Sequence, residues 1–417
     1  MKLSIRAGLQ IDLPGPPIQR IQPANAILTV GLLGTDLPGV RAELLVAEGE
    51  RVAAGDALFR DRKRPQIRFT APVAGTVRAI DLGEKRRLSS LAIAVDGSER
   101  RHFEIPTHPD REQTQALLLE SGLWPSFTAR PFGRIPDPGS TPDAIFVTAL
   151  DTEPLAADAR VVLADAMDDF ARGVACLKPL TDGPVFVCQA PGSAFVAQDD
   201  RIRCVEVDGA HPAGLAGTHV NRLFPLHGRR SVWQVHYQDV MAIGALLRSG
   251  EITGERVVAL AGAGIAQPRL VRVPGGADLE DLVRGEMTGG AMRIVSGSPL
   301  GGRPSRFLGR HHWQVSVTPR RAAPLRPGRP GWFGRHARDL KPLSVIATAA
   351  LEHALATDIP VMPLLRALSV GDTETAARLG CRELLEEDMA LVGYATGATQ
   401  DYAALLRATL DVLEHSR

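Results

Sequence analysis

The segment of residues 46–95 restricts the fold of this chain more than any other. Its apolar runs are short, and glycines interrupt them at Gly49, Gly55, Gly75 and Gly83. Short apolar runs separated by glycine turns are typical of strands joined by tight turns. The segment therefore predicts a small, tightly turned β-domain near the N terminus.

Parts of this segment resemble the barrel-sandwich domains that carry biotin or lipoate. The resemblance rests on Gly49-Glu50-Arg51-Val52, Gly55-Asp56 and Ala71-Pro72-Val73-Ala74-Gly75-Thr76-Val77. Lys63 falls near the place of the acylated lysine, but its surroundings, Asp61-Arg62-Lys63-Arg64-Pro65, are neither Met-Lys-Met nor Asp-Lys-Ala. We therefore expect Lys63 at a solvated hairpin tip and the domain to serve as a scaffold. A biotin or lipoyl carrier is the alternative.

Composition excludes several classes of function. With 417 residues the chain is long enough for about three domains. Its net charge of +1 argues against a dedicated nucleic-acid-binding protein. No apolar stretch follows Lys2 and Arg6 as in a secretory signal, and the longest apolar run, Val257 to Ala266, has ten residues, half of what a membrane span requires. We expect a soluble, cytoplasmic protein that can dock on a membrane complex.

Past residue 100, apolar runs alternate with helical patterns. Strands are predicted at Ala144–Ala149, Pro184–Ala190 and Ile202–Val207, and one amphipathic helix between Ala157 and Leu177. Such alternation predicts a doubly wound, largely parallel sheet. Between residues 254 and 320 the order changes to two strands, a helix and more strands, which indicates a small β-grasp domain.

The predicted fold class is thus α/β and multidomain. Its predicted parts are a barrel-sandwich hybrid (biotinyl/lipoyl-like) β domain (1–100), a Rossmann-like α/β domain (101–253), a β-grasp, SLBB-like domain (254–320), and a linker followed by a C-terminal helical domain (321–417). The four cysteines are too far apart for a CxxC motif, and we expect buried, reduced thiols. We expect no iron–sulfur cluster held by this chain.

The most unusual local string is His211-Pro212-Ala213-Gly214-Leu215-Ala216-Gly217-Thr218-His219. Its glycines allow close approach to the backbone. A zinc site formed by His211, His219 and, as a third ligand, His236 would lack an evident fourth ligand, so we assign no metal site. Packing against a neighbouring segment and binding of a quinone stay open. As candidate quinone-proximal residues we name His211, Gly214, Gly217 and His219, and we assign no catalytic residue.

Nearly the whole chain resembles the NqrA family, the A-type subunits of the bacterial sodium-translocating NADH:quinone reductase. The resemblance rests on strings that occur in one order. They include Leu58-Phe59-Arg60-Asp61-Arg62-Lys63, Leu180-Thr181-Asp182-Gly183, the 211–219 loop, Tyr237-Gln238-Asp239-Val240-Met241-Ala242-Ile243-Gly244, Pro268-Arg269-Leu270-Val271-Arg272 and Val370-Gly371-Asp372-Thr373.

This resemblance implies an accessory subunit on the cytoplasmic face of the bacterial inner membrane. The enzyme of that family reduces ubiquinone with NADH and exports Na⁺. Its flavins and iron–sulfur clusters would lie on partner subunits, which include membrane subunits and especially a B-type subunit that bears quinone or flavin. Ubiquinone stays open as a ligand of this chain. Its fold is expected to be similar to those of the complex I flavin subunit, which binds FMN, and of the C-type subunit of the Rnf complex.

In those flavin-binding relatives, a glycine-rich loop that holds FMN follows a segment resembling Glu120-Ser121-Gly122-Leu123. Here the bulky residues Trp124-Pro125-Ser126-Phe127-Thr128-Ala129-Arg130-Pro131-Phe132 follow instead. A phosphate needs bare backbone N–H groups at such a place. We therefore expect this chain to hold neither FMN nor NADH, and to be non-catalytic by itself.

The C-terminal part departs from the family in length between Leu351 and Pro360, and in sequence after Met389. Two alternatives therefore stay open. The chain could belong to a divergent quinone-linked membrane complex that is not a sodium pump, or it could be a free-standing protein that binds quinone or another small molecule.

Overall fold

The computed structural model describes residues 1–226, 228, 230–320, 346–397 and 400–416. Residues 1–100 form short strands. These are β1 (Lys2–Ser4), β2 (Ile18–Gln22), β3 (Thr29–Leu33), β4 (Ala42–Leu44), β5 (Arg51–Val52), β6 (Ala57–Asp61), β7 (Arg64–Thr70), β8 (Gly75–Leu82) and β9 (Leu88–Val95).

The predicted barrel-sandwich is confirmed. Its strands form two antiparallel sheets, in the orders β3-β9-β8-β5 and β4-β6-β7. Phe59 and Phe69 stack with ring centroids 4.6 Å apart, and both are buried in the shared core with Leu91 and Ile93. Gly49 and Gly55 have positive φ, the backbone region that favours glycine, so these turns depend on the glycines that marked them in the sequence.

Residues 101–253 alternate between helix and strand. The elements are α1 (Arg111–Glu120), β10 (Thr128–Arg130), β11 (Ala144–Ala149), α2 (Ala159–Leu163), α3 (Met167–Leu177), β12 (Val185–Gln189), β13 (Ile202–Asp208), α4 (Ala216–Leu223), β14 (Val232–His236) and α5 (Tyr237–Ser249). The sheet has the order β1-β13-β12-β11-β14-β10, and all its pairs are parallel except β10 with β14. The predicted parallel sheet is therefore confirmed.

The single helix predicted between Ala157 and Leu177 is wrong. The chain forms two helices there, α2 and α3, and Ala166 between them has φ −136° and ψ 22°, outside the helical region. Val162 and Leu163 of the first helix and Phe170 and Val174 of the second are buried in the same core. Apolar spacing reports which residues are buried and does not reveal a short break between two helices that share a core.

Residues 254–320 form the β-grasp part. Its elements are β15 (Glu255–Ala261), β16 (Arg269–Pro274), α6 (Leu279–Val283), β17 (Met292–Ser296), β18 (Arg303–Pro304) and β19 (Gln314–Pro319), and the sheet has the order β18-β17-β19-β15-β16-β2. Asp278 caps α6 by accepting a hydrogen bond from the Glu280 N–H at 2.9 Å.

Two strands from the first 22 residues lie outside the barrel-sandwich sheets. Strand β1 pairs in parallel with β13 of the α/β sheet, and β2 pairs in parallel with β16 of the β-grasp sheet. Both add to an edge whose backbone groups would otherwise have no strand partner. The N-terminal segment thus joins the three folding units, and the boundaries predicted for the domains stay a prediction.

The described C-terminal helices are α7 (Ala349–Glu352), α8 (Val361–Val370), α9 (Thr373–Arg378), α10 (Ala390–Ala395) and α11 (Tyr402–His415). Their apolar faces form one core, to which Phe132 and Leu300 also contribute. Residues 321–345, where the part predicted as a linker and C-terminal helical domain begins, lie outside the described residues. No helix in the described ranges is both long and apolar enough to cross a membrane.

Candidate functional site

The segment Trp124–Phe132, where the flavin loop of the relatives would lie, is packed into the core. Residues Trp124–Ser126 form one turn of 3₁₀ helix. The Trp124 indole is fully buried, donates from Nε1 to the Pro136 carbonyl at 3.0 Å, and meets the rings of Phe127 and Trp233 at 5.7 and 5.2 Å. Aromatic side chains occupy this place.

The backbone amides of the same turn donate within the chain. The Leu123 N–H donates to the Leu118 carbonyl at 3.0 Å, that of Ser126 to Leu123 at 3.0 Å, and that of Phe127 to Trp124 at 3.2 Å. A phosphate site at a loop is built from N–H groups that point at the ligand together. This turn therefore does not fit the phosphate of FMN.

Arg130, at the end of β10, is completely buried and fully bonded. Its guanidinium donates to Gln234 Oε1 at 2.6 Å, Glu387 Oε1 at 2.7 Å, Asp388 Oδ2 at 2.9 Å and the Glu383 carbonyl at 2.6 Å. We call these residues the Arg130 cluster. It connects the α/β sheet to the C-terminal helical part, and its carboxylates hold the pKa of Arg130 above its usual value despite burial.

The loop from His211 to His219 lies next to this cluster and is almost entirely buried. His211 Nδ1 lies 3.3 Å from Thr152 Oγ1, and that hydroxyl also accepts from the Gly214 N–H at 2.8 Å. His219 Nε2 lies 2.8 Å from the Ala213 carbonyl. The structure thus places His211 and Gly214 in the turn before α4 and Gly217 and His219 in the first turn of α4, and this segment folds on itself and on Thr152.

The two glycines of the loop allow protein segments to approach. A Cβ on Gly214 would lie 2.8 Å from the Thr152 backbone nitrogen, and one on Gly217 would lie 2.2 Å from Asp388 Oδ1. These positions are closer than real Cβ contacts, so both glycines are required by packing. The segment therefore packs against neighbouring residues at both glycines, which was one of the two expectations. A role near quinone stays a prediction.

Burial controls the charge of this region. It lowers the pKa of His211 and of His219 to about 4, so both rings are neutral at pH 7. Burial, followed by the negative charge of Glu153, raises the pKa of Asp151 to about 7. Asp151 follows β11, so the loops after the parallel strands bring these titratable groups together.

His236 does not join the other two histidines as a ligand. It caps α5, with Nδ1 accepting from the Gln238 N–H at 3.3 Å, and its ring stacks on Trp313 at 3.8 Å. Within the described part of the chain, no group of three or more His, Cys, Asp or Glu residues is placed to hold a metal ion.

Lys63 lies in the turn between β6 and β7 and is exposed, as expected of a hairpin tip. The expected burial of the cysteines is confirmed for Cys176, Cys188 and Cys381, whereas Cys204 is half-buried. Burial raises the pKa of Cys176 to about 12 and that of Cys381 to about 11. These thiols are therefore poor nucleophiles at neutral pH.

The sequence did not reveal a cavity of about 120 Å³ at the junction of the three N-terminal folding units. We call it the interdomain cavity. The barrel-sandwich contributes Leu32 and Phe69, the α/β part Leu123 and Asp239, and the β-grasp part Arg256 and Arg310. The one signal in the sequence is Asp239, an acidic residue soon after the apolar residues Val232, Trp233 and Val235.

The topology explains why Asp239 lies at this junction. It belongs to the first turn of α5, directly after β14, and β14 and β12 flank β11 on opposite sides. Open α/β sheets bind ligands at such a switch point, outside the carboxyl ends of the strands. The order of strands, which only the fold reveals, is needed to recognise this place.

Three family models match the chain. They are described as the NqrA N-terminal barrel-sandwich hybrid domain (residues 3–96), the NqrA second alpha/beta domain (109–252) and the NQRA C-terminal domain (257–306).

Relatives of similar length match almost from end to end. The chain is 39% identical over 440 residues to the A-type subunit of the Na(+)-translocating NADH-quinone reductase of Marinomonas sp. (strain MWYL1), covering 98% of this chain and 99% of the relative. It is 40% identical over 452 residues to that of Serratia proteamaculans (strain 568), covering 99% of both. A solved structure of a NAD+-reducing [NiFe]-hydrogenase covers 74% of this chain and 67% of its own at 14% identity, with a TM-score of 0.39, too low to carry an argument.

Proposed function

This chain belongs to the NqrA family, the A-type subunits of the Na(+)-translocating NADH-quinone reductase, and we propose that it is an accessory subunit of a membrane NADH:quinone oxidoreductase. The near-complete match in length and order carries this proposal. In it, the complex reduces ubiquinone with electrons from NADH and exports Na⁺, and this chain braces the other subunits without carrying out chemistry itself.

The packed turn at Trp124–Phe132 supports a subunit without its own flavin. Its amides at Leu123, Ser126 and Phe127 donate to carbonyls of the chain, and its indole fills the space beside them. Electrons would therefore travel through flavins and iron–sulfur clusters held by partner subunits. A flavin assay on the purified chain tests this. Acid treatment should release far less than one molecule of flavin per chain.

The finer assignments are part of the proposal. We propose that the chain is peripheral, on the cytoplasmic face of the bacterial inner membrane, and that it contacts a B-type membrane subunit that bears quinone or flavin. The relatives are each named as one subunit of a reductase that translocates sodium, which supports partners in the same complex.

Purification from native membranes tests the proposed function. The chain, carrying an affinity tag, is purified after mild solubilisation, and NADH:quinone reductase activity is measured in the eluate with sodium or potassium as the salt. We expect membrane subunits in the eluate and activity that sodium stimulates. Activity indifferent to sodium would favour the divergent complex, and an eluate without membrane subunits would contradict the accessory role.

The loop from His211 to His219 remains a proposed quinone-proximal element. The space beside its glycines is filled by Thr152 and Asp388, and Leu215 is its partly exposed residue, so quinone would approach the segment at Leu215. A photoreactive ubiquinone analogue, applied to the intact complex, should then label peptides that contain residues 211–219, and excess ubiquinone should suppress that labelling.

A further inference from the structure

The interdomain cavity contains more positive than negative charge. Asp36 forms an ion pair with Arg303 and accepts a hydrogen bond from the backbone N–H of Arg310 at 2.9 Å, so the charge of Asp36 is compensated. Arg256 and Arg310 remain, opposed by Asp239. Glu255 lies at the exposed rim, 4.0 Å from Arg272. Two guanidinium groups therefore face one carboxyl group inside the cavity.

Neither guanidinium has a close anionic partner among the described residues. Arg310 donates to two neutral oxygens, the Pro125 carbonyl at 3.2 Å and Ser126 Oγ at 3.3 Å. Arg256 donates to the Arg310 carbonyl, lies over the Trp313 ring at 4.6 Å, and approaches Asp239 Oδ1 only to 3.8 Å. Burial accordingly lowers the pKa of Arg310 to about 10 and also lowers that of Arg256.

Asp239 is incompletely bonded as well. Its Oδ1 accepts from Ser126 Oγ at 3.2 Å, but its buried Oδ2 has no hydrogen-bond partner in the part of the chain that the structure describes. Asp239 is 6% exposed. A buried polar atom without a partner is unfavourable, and the closest approach of Asp239 to Arg256 is the 3.8 Å to Oδ1, so Asp239 compensates the Arg256 guanidinium at this end of the cavity only incompletely.

Part of the remaining wall is apolar. Leu32, Phe69, Leu123 and Leu308 line this part. An apolar cavity of about 150 Å³ holds benzene, and the interdomain cavity has a similar volume of about 120 Å³ and is partly open to solvent, so it accommodates a single ring or a short branched chain. The occupant that fits both walls has an anionic group at one end and a small apolar body at the other.

We propose that the interdomain cavity binds a small organic carboxylate, with the carboxylate group against the guanidinium of Arg256 and the apolar body against Leu32, Phe69 and Leu123. Burial raises the pKa of Asp239, which favours the neutral form of this carboxyl group and so reduces its repulsion of a bound carboxylate. The guanidinium of Arg256 supplies the opposite charge. This site is independent of the proposed role in a reductase.

Calorimetric titration of the purified full chain with benzoate tests the site. We expect saturable binding with one site per chain, and much weaker binding of benzamide, which has the same ring and no charge. Inorganic phosphate, which has the charge and no apolar body, should also bind much more weakly. Arg256→Gln should weaken benzoate binding roughly tenfold or more, since a charged hydrogen bond is lost.

Two further variants separate loss of the site from loss of the fold. Ala242→Phe keeps every charge, adds a ring at the cavity wall, and should abolish benzoate binding while the circular dichroism spectrum is unchanged. Arg20→Gln is the matched control, because Arg20 is an exposed arginine on β2 of the same sheet, and it should bind benzoate like the wild type.

Several results would overturn the proposal. The proposal fails if benzoate shows no saturable binding at millimolar concentration. It also fails if benzoate and benzamide bind equally, because the site would then not recognise the ligand's charge. Phosphate binding as tightly as benzoate would point to a bare anion site. Unchanged benzoate binding in folded Ala242→Phe would place the ligand elsewhere.

Discussion

Arg130 and Arg256 are both largely or completely buried, and their surroundings differ. Arg130 is 0% exposed and donates to two carboxylates, an amide oxygen and a carbonyl at 2.6–2.9 Å. The Arg256 side chain is 14% exposed and has its nearest carboxylate at 3.8 Å. Their pKa values move in opposite directions, up for Arg130 and down for Arg256.

The difference separates a structural contact from a candidate binding site. A buried charge is tolerated when the protein itself supplies its partners. The Arg130 cluster does so and thereby connects β10 to the C-terminal helical part. Among the described residues, the interdomain cavity supplies no close carboxylate to Arg256. A bound anion would therefore compensate the charge of this guanidinium. Measurements on four side chains test this contrast.

The largest effect is expected at Arg130. Arg130→Met leaves Glu387 and Asp388 without their cation, and such a loss at a buried pair lowers the free energy of unfolding by about 3–5 kcal/mol. Urea unfolding followed by circular dichroism measures it. Arg160→Gln, which removes an exposed ion pair with Asp158, is the control and should change little. Equal effects from both would refute the contrast.

Acid should lower the free energy of unfolding through His219, which lies near Arg130. His219 has a pKa of about 4 when folded and about 6.5 when unfolded, so the unfolded chain takes up the proton first as the pH falls. The stability that neutral His219 contributes is present above pH 6.5 and is lost towards pH 4, by about 2 kcal/mol at pH 5. Unfolding at pH 7 and pH 5 measures this.

In His219→Gln the loss between pH 7 and pH 5 should be smaller by about that amount. His415→Gln, at an exposed position near the end of α11, should keep the wild-type dependence on pH. An identical dependence in His219→Gln and the wild type would mean that this ring is not held neutral by burial.

A smaller effect is expected at Arg256. Arg256→Gln loses the contact with Trp313 and the bond to the Arg310 carbonyl, but it also removes a buried charge without a close partner. We expect a net loss of about 1 kcal/mol or less, measured by the same urea titration. A loss as large as that of Arg130→Met would show that Asp239 compensates Arg256 in solution.

The smallest effect is expected for Asp239→Asn, with the opposite sign. A carboxyl group whose pKa is raised in the folded state disfavours folding as the pH rises above its unfolded pKa of about 4. Asparagine removes that penalty and keeps an oxygen for Ser126. Stability at pH 7 should be unchanged or slightly higher than that of the wild type. A clear loss at pH 7 would mean that an ionised Asp239 stabilises the fold.

Much of the fold could be predicted because its signals are local. Glycine turns marked the barrel-sandwich, and the run Ala144–Ala149 is strand β11 with the predicted bounds. Helix α5 ends at Gly250 in the left-handed region, where glycine is favoured. The break between α2 and α3 was missed because spacing reports burial, and burial is the same on both sides of the break.

The site was less accessible to sequence reasoning. The loop of residues 211–219 was recognised as unusual, and its glycines were correctly connected with close approach, but the approaching groups, Thr152 and Asp388, are distant in sequence. The interdomain cavity unites Leu32, Asp239 and Arg256 from three folding units. Each of these residues has an ordinary local context, so nothing in their own segments predicts that they meet.

The order of folding units, the family, and a bulky turn at Trp124–Phe132 where a flavin loop would need bare amides all follow from the amino-acid sequence alone. Those properties depend on residues near one another in the chain. Which buried charges are compensated emerges only from the folded molecule, because compensation depends on distances between segments that the chain separates by more than a hundred residues, as for Arg130 and Asp388.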